Sequence, residues 1–195
     1  ILSRCQIFDF SRISVKDIGG HLLDIAQKEK VEAEPEALHM IATKADGALR
    51  DALSVFDQMV TFSGNKITYK DVINNLHILD YDYFFKFIDF ADKEDIPSSL
   101  LLYNEVVESG FDSHHFIGGL SSHYRNLLVC KNPKSIELLE VPDTIKERYI
   151  EQAKAVDSLL IMRALNALSK ADVAYKASKN QRLLVEVCLM ELCSL

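Results

Sequence analysis

The sequence predicts an all-α protein, a small three-helix bundle followed by a larger helical domain. Apolar residues recur at helical rather than alternating spacing along almost the whole chain. Helix-start residues and Gly or Pro breaks punctuate that pattern at short intervals. With 48% hydrophobic residues among 195, the chain has enough apolar side chain for one or two cores.

Gln6–Ser11 is the one convincing extended stretch, short and aromatic, and is expected to complete a sheet whose other strands lie elsewhere. Ser14 is a good N-cap with Asp17 three residues on, and Val15, Ile18, Leu22, Ile25 and Ala26 form one apolar stripe. Glu34-Pro35 opens a second helix, because proline at the first helical position forfeits no hydrogen bond. Its stripe is Leu38, Ile41, Ala42 and Ala45, and Gly47 breaks it. A third helix runs from Ala48 to about Phe62 and is stopped by Ser63-Gly64-Asn65. Thr68 caps a short helix to Leu76. Further helices are expected at about 81–93, 97–109, 113–130, 143–155, 158–176 and 180–194, with Gly110, Asn132-Pro133 and Val141-Pro142 supplying breaks. The spans divide into residues 1–11, a three-helix bundle at 12–66 and a helical domain at 67–195.

Composition excludes several function classes. No apolar run approaches the roughly 20 residues of a membrane helix, so a membrane partner is not expected. A formal net charge of −7, with basic residues dispersed among acids, argues against a surface that grips nucleic acid unaided. Cys5, Cys130, Cys188 and Cys193 show no Cys-x-x-Cys spacing and read as reduced thiols in a cytoplasmic protein. The chain begins at Ile1 without an initiator methionine and is read as a piece of a longer protein.

No residue pattern suggests an autonomous active site. His114, His115 and His123 share one expected helix, but no acid or thiol stands at helical spacing beside them, and zinc needs three or four converging ligands. Asp80/Asp82 and Glu94/Asp95 sit at helix starts, where carboxylates complement the helix dipole. Tyr81, Tyr83, Phe84, Phe85, Phe87 and Phe90 lack interleaved basic residues and read as core rather than a base-stacking platform. No Gly-x-x-x-x-Gly-Lys-Ser/Thr loop occurs, so these residues cannot cradle a triphosphate alone. The wide apolar faces at 158–176 and 180–194, with Leu165, Leu168 and Leu189 in them, need enclosure either within one bundle or by a neighbouring subunit.

Two arginines stand out. Arg4 lies in Ile1-Leu2-Ser3-Arg4-Cys5-Gln6, and Arg50 in Asp46-Gly47-Ala48-Leu49-Arg50-Asp51-Ala52-Leu53 at the start of the third helix. A guanidinium is always charged and donates two parallel hydrogen bonds to phosphate oxygens. The Ser-Arg-Cys segment, the three-helix bundle and the arginine-led helix resemble clamp-loader ATPases of the AAA+ class, in particular the bacterial DNA polymerase III gamma/tau family. Gln181–Val187 resembles the final helix of that family's collar domain.

The resemblance implies that 1–11 ends an ATPase domain, 12–66 is the AAA+ lid and 67–195 is the collar, or oligomerisation domain. It implies that Arg4 is an arginine finger acting in trans on a neighbour's ATP, and that Arg50 is the sensor-2 residue on the ATP phosphate of its own subunit. It also implies ATP with Mg in the intact protein and none bound to these residues alone. Partners implied are other clamp-loader subunits through the collar, and a sliding clamp and primed DNA through the ATPase domain. The parent would be an ATPase within a DNA-directed DNA polymerase holoenzyme. Two other readings remain open, the lid of another AAA+ DNA-processing machine and a non-enzymatic helical adaptor.

Overall fold

The computed structural model describes residues 11–195, which fall into two compact units meeting between Ile78 and Leu79. The expected strand at 6–11 lies outside the described residues apart from Ser11, as do Ser3, Arg4 and Cys5.

The first unit is built on α1 (Val15–Glu29), α2 (Pro35–Lys44), α3 (Leu49–Ser63) and α4 (Tyr69–Leu76). Ser14 caps α1 by accepting the Asp17 N–H at 3.1 Å, while its hydroxyl donates to the Asp17 carboxylate at 2.6 Å. Thr68 and Asp71 close a full capping box on α4, and the Asp71 carboxylate, accepting from the Thr68 hydroxyl at 2.6 Å and from the Thr68 N–H at 3.1 Å, is held below its ordinary pKa. Ile18, Leu22 and Ala26 from α1 meet Leu38, Ile41 and Ala42 from α2 and Ala52, Phe56 and Met59 from α3, all buried.

Two very short strands tie this bundle. Strand β1 (Glu32–Ala33) pairs in parallel with β2 (Lys66–Ile67), and the Glu34 carboxylate accepts the Tyr69 N–H at 2.7 Å. Two residues cannot show an alternating pattern, so the ladder has no sequence signature. It docks the segment after α3 beside the segment before α2. Ile67, Val72 and Ile73 are buried, and α4 packs on α2 and α3. Residues 67–78, which the sequence places at the start of the second domain, thus sit with the first unit.

The second unit comprises α5 (Tyr81–Asp92), α6 (Ile96–Glu108), α7 (Ser113–Cys130), a 3₁₀ turn at Pro133–Leu138, α8 (Asp143–Ala155), α9 (Ser158–Tyr175) and α10 (Gln181–Leu192). Asp80, Asp95, Asp112, Asp157 and Asn180 each accept a backbone N–H in the first turn of the helix they precede. The helix α7 is central, packed by α9, α8, α5 and α10, with Phe116, Ile117, Leu120, Tyr124 and Leu127 fully buried. Gly119 lets α5 approach closely, since a Cβ there would lie 2.2 Å from the Phe84 ring.

This core is intramolecular. Leu168 of α9 and Leu189 of α10 are fully buried within one chain, so neither is available to a seam with a neighbour. The large apolar residues that α9 and α10 do expose are Leu159, Met162, Val173, Leu183 and Val187. The aromatic run at 81–90 is core as expected, with Phe84, Phe85 and Phe87 buried and Tyr81, Tyr83 and Phe90 packed against them. Cys130, Cys188 and Cys193 are free and buried; burial pushes the Cys188 thiol up to about 11, which keeps it protonated and unreactive.

Candidate functional site

Arg50 is the second residue of α3 and is exposed. Its placement follows from the turn before it. Asp46 and Gly47 both have positive φ, 47° and 82°, and the Ala48 N–H closes the turn on the Ala45 carbonyl at 2.9 Å. The chain therefore reverses abruptly between α2 and α3 and sets Arg50 on the first turn of the new helix. Ala48, at the N-cap, has no side chain to accept from the free N–H groups of α3. A helix start with no side-chain cap and with an exposed guanidinium favours an anion.

The acids nearest Arg50 in sequence are Asp46 and Asp51. Asp46 is paired instead with Arg12, and among the described residues no ion pair or side-chain hydrogen bond holds the Arg50 guanidinium. Among the described residues nothing neutralises it, which leaves it available to an incoming anion. Arg4, the other candidate, lies outside the described residues.

His114 and His123 take structural roles. His114 Nε2 meets an Asp172 carboxylate oxygen at 2.8 Å and its ring stacks on Tyr175 with centroids 4.8 Å apart. His123 is buried among Phe85, Phe84 and Tyr149. Its Nε2 lies 2.9 Å from the Gln152 side-chain oxygen, while the Gln152 amide donates to the Phe85 carbonyl at 3.0 Å and to Asp89 at 2.9 Å. With the amide hydrogens so used, the Gln152 oxygen must accept, so the His123 proton sits on Nε2. Nδ1 has no partner, and burial drives the ring down to about 4, with Arg148 adding to the effect. Sequence placed His123 only as a weak metal candidate; a lone histidine on an apolar helix face was the signal for a neutral core residue.

Residues 17–65 match the family model of the ATPase lid domain of DNA polymerase III clamp-loader subunits. The chain is also similar, over nearly its full length, to two bacterial gamma/tau subunits. It is 28% identical to DNA polymerase III subunit tau of Bacillus subtilis over 193 residues, 99% of this chain and 34% of that one. It is 31% identical to DNA polymerase III subunit gamma/tau of Mycoplasma genitalium over 196 aligned positions, 93% of this chain and 33% of that one. The chain thus spans about a third of the length of these curated relatives. A solved DNA clamp-loader delta protein of Bacillus subtilis shares the fold, with a TM-score of 0.56 at 18% identity over 94% of this chain and 57% of that one. The chain is thus similar to DNA polymerase III clamp-loader subunits of the gamma/tau type, and residues 17–65 of its first unit match their ATPase lid domain.

Proposed function

We propose that this chain is the lid and collar portion of a clamp-loader gamma/tau subunit, which in intact form uses ATP to place a sliding clamp on primed DNA during replication. The observation that carries the proposal is Arg50, exposed and without an ion-pair partner among the described residues at an uncapped helix start on the matched lid segment, while Asp46 is occupied by Arg12.

In this reading an ATPase domain of the intact subunit holds ATP with Mg, and the lid contributes one cation to that site. The Arg50 guanidinium donates to phosphate oxygens, so the lid has different contacts with and without nucleotide. Only such a difference can shift the lid between positions. Arg4 faces the ATP of the adjacent subunit and neutralises charge developing on the transferred phosphoryl group, a contribution of about 10³–10⁵ in rate where an arginine plays this part. The second unit serves as the collar that binds neighbouring subunits, and shared contacts couple their nucleotide states. A net charge of −7 leaves clamp and DNA contacts to the ATPase domains. In this reading the machine works in the cytoplasm; among the described residues no helix is long and apolar enough to cross a membrane.

The test is nucleotide affinity in the intact subunit. Arg50→Ala is expected to weaken ATP binding about 10- to 100-fold, the loss of one or two charge-assisted hydrogen bonds, with ADP affected less. Equal affinity for ATP in variant and parent would favour the helical-adaptor reading.

A further inference from the structure

The turn that leads into Arg50 is gripped from outside by the segment just before α1. The Arg12 guanidinium pairs with the Asp46 carboxylate. The Ile13 N–H donates to the Gly47 carbonyl at 3.3 Å. A Cβ on Gly47 would lie 2.6 Å from the Arg12 Cβ and 3.3 Å from its Cα, so the two backbones touch. Glycine is needed there twice, for the positive φ and for the approach. The next residue, Ser14, caps α1 and so anchors the other end of the gripped segment.

We propose that Arg12, Asp46 and Gly47 form a clasp that joins the incoming chain to the first turn of α3, and that they are positioning residues for phosphate recognition by Arg50. This rests on the reading of Arg50 given above. Residues 11–14 carry no regular structure, and Arg12 and Asp46 are three-quarters exposed. An unclasped link of that kind absorbs displacement in its own backbone angles. A clasped link passes the displacement to the turn, and Arg50 follows Gly47 by less than one helical turn. An exposed ion pair adds little by itself, so the backbone contact at Gly47 carries most of the clasp and Arg12 with Asp46 sets its orientation.

Two measurements test it. In the 195-residue chain, amide hydrogen exchange at Ile13 should be slower than in an unstructured peptide. Gly47→Ala should speed it about three- to tenfold, the factor one hydrogen bond contributes. Exchange of Ile13 at the unstructured rate in the parent chain overturns the clasp. In the intact subunit, Gly47→Ala and Arg12→Asp should each raise KM for ATP severalfold with kcat largely kept, and Arg12→Asp with Asp46→Arg should restore it. The rescue identifies the pair, and the KM rise with kcat kept separates positioning from a merely structural role, which would lower stability without that split. Should Gly47→Ala fail to fold, Arg12→Asp and its rescue carry the same test. If Arg50→Ala weakens ATP while the clasp variants do not, positioning is overturned and the Arg50 reading stands. If Arg50→Ala has no effect, that reading fails and takes the positioning role with it, whatever the exchange at Ile13.

Discussion

Lowering the pH from 7 to 5 should destabilise the second unit through His123. The ring is 1% exposed and held near a pKa of about 4, against an ordinary value of 6.5. As pH falls, the unfolded chain takes up its proton first, because the folded pKa is the lower of the two. Stability is therefore intact above 6.5, is lost progressively between 6.5 and 4, and loses nothing further from this group below that. Two and a half units correspond to about 3 kcal/mol in full, and to about 2 kcal/mol at pH 5. The charged groups around the ring decide whether this survives. Arg148, with its guanidinium carbon 4.1 Å from the Phe85 ring centroid, opposes a second cation, while Asp89 is engaged by Gln152 and Asp82 by Arg148. Six of the seven tyrosines lie in the second unit, so urea unfolding followed by tyrosine emission reports on it. His123→Gln keeps a donor toward Gln152 without a titration, and its stability should fall less between pH 7 and 5 by about 2 kcal/mol. Parallel loss in both proteins would refute the reasoning.

Gly119→Ala should cost about 1–3 kcal/mol by urea denaturation, since its methyl group overlaps the buried Phe84 ring; an unchanged midpoint would mean that α5 has room to shift. Leu159→Ser with Leu183→Ser should change stability by less than about 0.5 kcal/mol per site while lowering any self-association seen by light scattering, because both side chains are exposed. Leu168→Ala and Leu189→Ala should instead cost about 2–5 kcal/mol each, being fully buried. Arg4→Ala should reduce ATP hydrolysis by the assembled complex on the order of 10³-fold with nucleotide binding kept; loss of binding would place Arg4 in its own subunit's site.

Helix existence was legible because most starts carry their own chemistry, α3 at Ala48 being an exception. Ser14, Thr68, Asp112 and Asp157 satisfy free N–H groups as their types predict, and the spans expected at 113–130 and 143–155 agree with the structure at both ends. Inward and outward apolar residues were less legible on α9 and α10, where the stripe is so wide that spacing cannot orient it. Leu168 and Leu189 face the core while Met162 and Val187 do not, a choice made by the packing of α7 and α6. The β1–β2 ladder left no trace in the sequence, being two residues long. Arg50 was legible as a residue and a helix position, yet its freedom from Asp46 was not. That depends on Arg12, which is close to Asp46 only after α1 and α2 have folded back on each other.

The most direct test of the account is clamp loading by a reconstituted assembly containing the intact subunit. The account predicts ATP-dependent transfer of a sliding clamp to primed DNA that is lost when the subunit is omitted and strongly reduced by Arg50→Ala. Undiminished loading without the subunit, or with Arg50→Ala, would contradict it.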